Sequence, residues 1–116
     1  MTDKRVVLVT CKSTREARKI GRKLVESRLA ACANLVRAPV ESIYRWKGSV
    51  ETAREVLLIF KTTQANMRRL EKAIREAHSY EVPEIVALPI AEGLPAYLDW
   101  IADSAPEKAT KERKSK

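Results

Sequence analysis

The sequence is poor in the residues from which disulfide frameworks, zinc clusters and hydrolytic sites are built. It has two cysteines, three glycines and one histidine among 116 residues. Cys11 and Cys32 form no disulfide framework and match no paired zinc spacing, so free thiols are expected. Gly21, Gly48 and Gly93 form no phosphate-binding loop, which leaves nucleotide binding unsupported. With one histidine and no nucleophile–base pair in evidence, we predict a protein that is not an enzyme.

Long apolar runs are also missing. None approaches the roughly 20 residues that a membrane-spanning helix needs, so we expect no membrane partner. The N-terminal Met-Thr-Asp-Lys-Arg leads directly into a four-residue apolar run at 6–9. That run is too short for the core of a signal peptide, and no small-residue cleavage site accompanies it. The sequence therefore predicts a cytoplasmic protein.

What the chain does contain is enough apolar sequence for one domain. Hydrophobic residues make up 45% of its length. A chain of this size buries roughly two-thirds of its unfolded surface, which supports a core without disulfide or metal staples. We predict a single domain over residues 1–104, followed by a basic, disordered tail over residues 105–116.

The net charge of +8 raises the question of nucleic-acid binding. The basic residues lie in the tail and on two predicted helices, where they alternate with apolar positions at helical spacing. That arrangement favours solvated outer faces over a nucleic-acid footprint. An RNA-binding sheet would also need aromatic residues on its central strands, and the first and third predicted strands offer only Phe60. The sequence therefore argues against nucleic acid as a partner.

The remaining sequence alternates between strand and helix patterns. Ser13 and Glu16 form a predicted capping box at the start of the first helix. Pro39 interrupts the second strand and predicts a kink, a bulge or an edge position. Strands are predicted at 5–10, 34–47, 55–62 and 84–90, and helices at 13–31, 64–77 and 95–103. This β-α-β-β-α-β order with a closing C-terminal helix is the ferredoxin-like pattern of the α+β class.

Three of the predicted strands are apolar on both faces, at residues 6–9, 56–60 and 85–88. Two helices can cover only one face of such a sheet, and the other face would stay exposed. The pattern therefore predicts a homo-oligomer, closed by symmetry.

The long hairpin between the second and third strands also favours an oligomer. Tyr44 and Trp46 lie on one face of its first arm, although the chain has only six aromatic residues. Tyr and Trp are common in interfaces and pockets because they combine a large apolar area with a polar tip. The alternative is that both residues cap the edge of the monomer's own core.

Five segments together resemble the CutA family of divalent-cation tolerance proteins. They are LAACAN at 29–34, SIYRWKG at 42–48, EVLLIFKT at 55–62, HSYEVPE at 78–84 and YLDWI at 97–101. The resemblance implies a ferredoxin-like subunit in a homotrimer, with long hairpins that reach neighbouring subunits. It further implies a non-catalytic protein of copper tolerance that binds divalent metal ions. The alternative is a sensor like the trimeric PII proteins, with small-molecule clefts between subunits.

The resemblance identifies one candidate metal ligand. Copper ligands assigned in the family are a cysteine on the first strand and two adjacent histidines at a helix exit. Only His78 matches, because Ala77 precedes it and Val9 stands at the cysteine position. Cys11 is expected just beyond the end of that strand. His78 could hold a divalent metal ion such as copper with Glu81 or Glu84, or it could simply cap the helix.

A second hypothesis concerns a cleft between subunits. We expect Lys61 to pair with Glu84 or Glu55 and to line this cleft together with Tyr44, Trp46, His78 and Tyr80. An apolar cleft with a few converging polar groups is the usual form of a small-ligand site. The alternative is a buried polar network that sets the register of the trimer.

Overall fold

Four strands and three helices occupy residues 4–104 of the computed structural model, which describes residues 2–107. The strands are β1 (Lys4–Cys11), β2 (Cys32–Trp46), β3 (Ser49–Thr63) and β4 (Ile85–Pro89). The helices are α1 (Thr14–Glu26), α2 (Met67–Ala77) and α3 (Pro95–Ser104), and a 3-10 turn, Gln64–Asn66, precedes α2. The predicted element order is confirmed.

The strands form one antiparallel sheet in the order β2-β3-β1-β4. β1 lies in the centre and pairs with β3 on one side and β4 on the other. This is the predicted ferredoxin-like α+β sheet. It places the C-terminal end of β1 next to the middle of β3.

One face of the sheet is covered by α1 and α2. Ser13 caps α1 by accepting a hydrogen bond from the Glu16 amide at 3.1 Å. The core beneath the helices is fully buried, and each large apolar side chain in it contributes about 1.5–3 kcal/mol. It includes Val7, Val9, Ile20, Leu24, Leu58, Phe60, Leu70 and Ile74.

The opposite face is apolar too, as predicted, but α1 and α2 do not cover it. Strand pairing aligns Val6 with Leu88 and Leu8 with Val86, so these four side chains share this face. Val86 and Leu88 are each 46% exposed. Val36 on β2 is also exposed. We call this surface the open face.

The β2–β3 hairpin is longer than predicted, because β3 begins at Ser49 and not at Glu55. Its turn is formed by Lys47 and Gly48, both with positive φ. The strand pairing shifts register between Val36 and Val40, the stretch that contains Pro39, which confirms an interruption there.

α3 packs against β1 and β3. Its buried Ile101 packs with Ala31 and Ala105 in a second small apolar cluster. Ala105 is fully buried, and its carbonyl accepts a hydrogen bond of 2.8 Å from the Asn66 side chain. The folded part therefore extends past residue 104, while residues 108–116 of the predicted tail lie outside the described residues. Within residues 2–107, no helix is long and apolar enough to cross a membrane.

Candidate functional site

Two groups of polar side chains meet at the C-terminal end of β1, one on each face of the sheet. Cys11 points to the helix-covered face, where it joins Glu16 and His78. We call these three residues the buried trio. Thr10, on the other face, lines a cavity that we call the acidic cleft.

His78 is the C-terminal cap of α2, and its side chain is 0% exposed. Its Nε2 lies 2.8 Å from the Thr10 carbonyl oxygen. Because a carbonyl oxygen can only accept, Nε2 carries the proton. Nδ1 then accepts a hydrogen bond from the Tyr80 amide at 3.1 Å. The hydrogen bonds thus assign a neutral imidazole whose two nitrogens are both engaged.

Glu16 joins the start of α1 to the chain after α2. Its carboxylate accepts from the Lys12 amide at 3.1 Å and from the Ser79 amide at 2.8 Å. The predicted capping box is therefore only half formed, because this carboxylate does not turn back to Ser13. Burial tends to raise the pKa of Glu16, but the hydrogen bonds that its carboxylate accepts from Ser79 and Lys12 outweigh this effect. The pKa ends below its ordinary value of 4.5.

Cys11 lies inside β1 and is fully buried, not past the strand's end as predicted. Burial, followed by the negative charges of Glu16 and Glu55, raises the pKa of its thiol to about 12. Cys11 is therefore a neutral thiol at physiological pH.

Donor atoms of Cys11, Glu16 and His78 lie within 4.8 Å of one another. Sulfur, nitrogen and oxygen donors in this combination suit Zn²⁺ or Cu²⁺. To bind an ion, Cys11 must lose its proton and His78 Nδ1 must release the Tyr80 amide. The buried trio can therefore hold a metal only after local rearrangement.

The acidic cleft lies between the β2–β3 hairpin and the turn that follows α2. Its volume is about 610 Å³, within the range of small-molecule sites. Three carboxylates, three aromatic rings and several hydroxyl groups line it: Thr10, Ser42, Ile43, Tyr44, Trp46, Glu55, Tyr80, Glu81, Val82 and Glu84.

Glu55 is the most deeply placed charge of the cleft, and it is only 8% exposed. One of its oxygens, Oε2, accepts a hydrogen bond of 2.8 Å from the Tyr80 hydroxyl. Burial and then this hydrogen bond to a carboxylate raise the pKa of Tyr80 above its ordinary range. The ring of Tyr80 also lies 4.7 Å from that of His78, so the cleft wall rests on the buried trio.

The structure brings together four of the six predicted cleft residues, namely Tyr44, Trp46, Tyr80 and Glu84. His78 lies behind the cleft wall and does not line the cavity. Lys61 lies further along β3 and donates to Asn34 Oδ1 at 2.7 Å. Within residues 2–107 it forms no ion pair with Glu55 or Glu84, so that predicted pairing is wrong.

Glu81 and Glu84, named as possible metal ligands beside His78, are not members of the buried trio. Among the described residues, the carboxylate neighbour of His78 is Glu16, with Oε2 3.9 Å from Nδ1. Sequence reasoning treated Glu16 only as a helix cap and Glu55 only as a partner for Lys61. A single acidic residue just before the apolar run 56–60 was the available signal for Glu55. No comparable signal existed for Glu16, because its contact with Ser79 spans 63 residues.

Fold and site together define a ferredoxin-like α+β protein with a ligand-sized cleft at one end of its sheet. The family profile described as "CutA1 divalent ion tolerance protein" matches residues 5–104. The chain belongs to the CutA1 divalent ion tolerance family, as the five sequence segments predicted.

Individual relatives support this membership. The divalent-cation tolerance protein CutA of Thermus thermophilus is 50% identical over 99 residues, which are 85% of this chain and 95% of that protein. The CutA homolog of Xenopus laevis is 46% identical over 85% of this chain. The chain spans 65% of the length of the Xenopus protein and 52% of mouse CutA.

Solved structures of relatives have the same fold. The Thermus thermophilus protein superposes with a TM-score of 0.85 at 49% identity, covering 88% of this chain and 98% of that one. CutA from Xylella fastidiosa superposes with a TM-score of 0.86 at 35% identity, covering 90% and 99%. The cytoplasmic location stays a prediction, because the relatives include an Arabidopsis thaliana protein named as chloroplastic.

Proposed function

We propose that this chain contributes to divalent-cation tolerance as a homotrimeric protein that acts by binding and not by catalysis. Its family is named for tolerance of divalent ions and not for a reaction. The single observation that carries metal binding is the convergence of the three donor atoms of the buried trio within 4.8 Å. The His78 imidazole is not a free base, because both of its nitrogens are engaged in hydrogen bonds.

The proposed trimer is supported by the open face. Val86 and Leu88 lie on the edge strand β4 and are each nearly half exposed. Covering apolar surface contributes roughly 25 cal/mol per Å², so association through this face is favourable. We expect light scattering to give a mass three times the 13.1 kDa of one chain.

A charged side chain on the open face tests that assembly. Leu88→Lys should dissociate the oligomer, because an ammonium group cannot be buried there without a partner. Lys19→Glu, on the exposed outer side of α1, serves as the control and should leave the mass unchanged. A wild-type mass of one chain, or an unchanged mass for Leu88→Lys, would contradict the proposed assembly.

Metal binding can be assigned to the buried trio by comparing the two cysteines. Zn²⁺ is the preferred probe for calorimetry because it has no redox chemistry with thiols. We expect wild type and Cys32→Ala to bind Zn²⁺ alike and Cys11→Ala to lose most of the affinity. Binding should release a proton, since a coordinating thiol is deprotonated. Equal binding by the two variants, or none by wild type, would exclude the trio as the metal site.

A second candidate function is small-molecule sensing in the acidic cleft. It is favoured by the about 610 Å³ cavity and by the buried carboxylate of Glu55 on its wall. Tyr80 touches both groups: its hydroxyl donates to Glu55 and its amide donates to His78. A ligand that displaces Tyr80 would therefore alter the buried trio as well, which supports coupling between the two sites.

A further inference from the structure

We propose that the acidic cleft binds a small organic cation, an aliphatic amine or guanidinium compound. This inference rests on the proposed ligand-binding function of the cleft and adds the chemical class of the ligand. The cavity presents the carboxylates of Glu55, Glu81 and Glu84, while no lysine or arginine of the described chain lines it. The chain as a whole carries a net charge of +8, so the cleft has the opposite sign to its protein.

Glu55 supplies the strongest argument for a cationic ligand. It is more than nine-tenths buried and faces the cavity. Oε2 accepts the Tyr80 hydroxyl, but Oε1 has no hydrogen-bond donor within residues 2–107. No lysine, arginine or histidine of that part of the chain lies within salt-bridge distance of it. A buried carboxylate without a cationic partner is costly, and a bound ammonium or guanidinium group would supply that partner.

The aromatic residues favour an organic cation with a short carbon chain. Tyr44 and Trp46 line the hairpin side of the cleft and Tyr80 lines the opposite side. Aromatic faces attract cations, and their apolar surface accommodates methylene groups. The Trp46 ring already attracts the Lys47 ammonium, 5.6 Å from its centroid.

A bare metal ion fits this cavity less well than an organic cation does. Among the described residues, the only three donor side chains that converge within 4.8 Å are Cys11, Glu16 and His78, which lie behind the cleft wall. Glu55, Glu81 and Glu84 are too widely spaced to coordinate one ion together. They can instead contact different ends of an extended ligand.

Calorimetry on the full-length protein with charge-matched probes tests this proposal. Agmatine carries a guanidinium and an amine, 1,4-butanediol is a neutral analogue, and glutarate is an anionic one. We expect agmatine to bind and the other two not to. Glu55→Gln should weaken agmatine binding tenfold or more, because it removes the charge while its amide oxygen still accepts from Tyr80. Glu51→Gln, exposed on the same strand and outside the cavity, should change it less than twofold.

The outcomes separate this inference from the function on which it rests. Binding of glutarate or butanediol without agmatine would leave a ligand-binding cleft but overturn its preference for cations. No binding by any of the three probes would overturn both. If agmatine binds folded Glu55→Gln as tightly as wild type, with both proteins giving the same circular dichroism spectrum, the proposed role of Glu55 is wrong.

Discussion

The buried trio and the acidic cleft lie on opposite faces of the sheet at the same end of β1. They differ in how completely their buried polar groups are hydrogen-bonded. In the trio, His78 and Glu16 satisfy three backbone amides and one carbonyl from two separate segments, residues 10–12 and 79–80. In the cleft, Glu55 is nearly as buried but uses only one oxygen. Fully bonded polar groups stabilise a fold, whereas a buried charge with a free acceptor is available to a ligand.

The difference predicts opposite effects of substitution on stability. Removing the side chain of His78 or Glu16 leaves backbone donors or acceptors unpaired. Removing the charge of Glu55 relieves an unpaired buried carboxylate.

His78→Ala should have the largest effect, a loss of about 2–4 kcal/mol in the free energy of unfolding. It leaves the Thr10 carbonyl and the Tyr80 amide without their partners and opens a cavity beside α2. Chemical denaturation measures the change. Arg75→Ala, exposed in the last turn of the same helix, should cost under about 0.5 kcal/mol. Equal losses for the two variants would mean that the trio is not a stabilising network.

Glu16→Ala should cost about 1–3 kcal/mol at neutral pH, because the Lys12 and Ser79 amides lose their acceptor. The pKa of Glu16 is lowered in the folded protein, so its stabilisation is present above pH 4.5 and is lost as the pH falls through the folded value. Wild type should therefore lose more stability than Glu16→Ala on acidification. The exposed variant Glu26→Ala should follow wild type, and a parallel acid profile for Glu16→Ala would contradict the assignment.

The effect of the Cys11 thiol on stability can be measured at alkaline pH. The pKa of Cys11 is raised from 9.0 to about 12, so its contribution is complete below pH 9 and declines as the pH rises toward 12. At pH 10 the expected loss is about 1.4 kcal/mol relative to neutral pH. Cys11→Ala should remove this part of the decline and Cys32→Ala should retain it, as followed by thermal unfolding at pH 7 and 10. Identical declines in both variants would show that another group is responsible.

Glu55→Gln should have the smallest effect, with a free energy of unfolding that is unchanged or higher by up to about 1 kcal/mol. The amide keeps the hydrogen bond from Tyr80 and removes an unpaired buried charge. Urea denaturation of the same protein used for ligand titration measures this. A loss of more than about 1 kcal/mol in the free energy of unfolding would mean that Glu55 stabilises the fold as His78 and Glu16 do. The proposed difference between the two sites would then be wrong.

Much of this arrangement could be predicted because it depends on local sequence patterns. Strand and helix order follows from apolar periodicity, and the exposed open face follows from strands that are apolar at every position. Tyr44 and Trp46 could be placed on one face of the hairpin because side chains alternate along a strand. The segment 78–84 could be recognised as part of a site because it holds an imidazole, a phenol and two carboxylates in a helix-to-strand turn.

The sequence by itself therefore determined the fold, the hairpin, the two-sided apolar sheet and the family. Only the tertiary structure decided that His78 is held by Thr10, that Lys61 bonds Asn34, and that Glu55 is left with a free oxygen. The physical reason is the separation of the interacting residues along the chain. Periodicity and capping act over a few residues, whereas these partners lie 27 to 68 residues apart and meet through sheet register and helix packing.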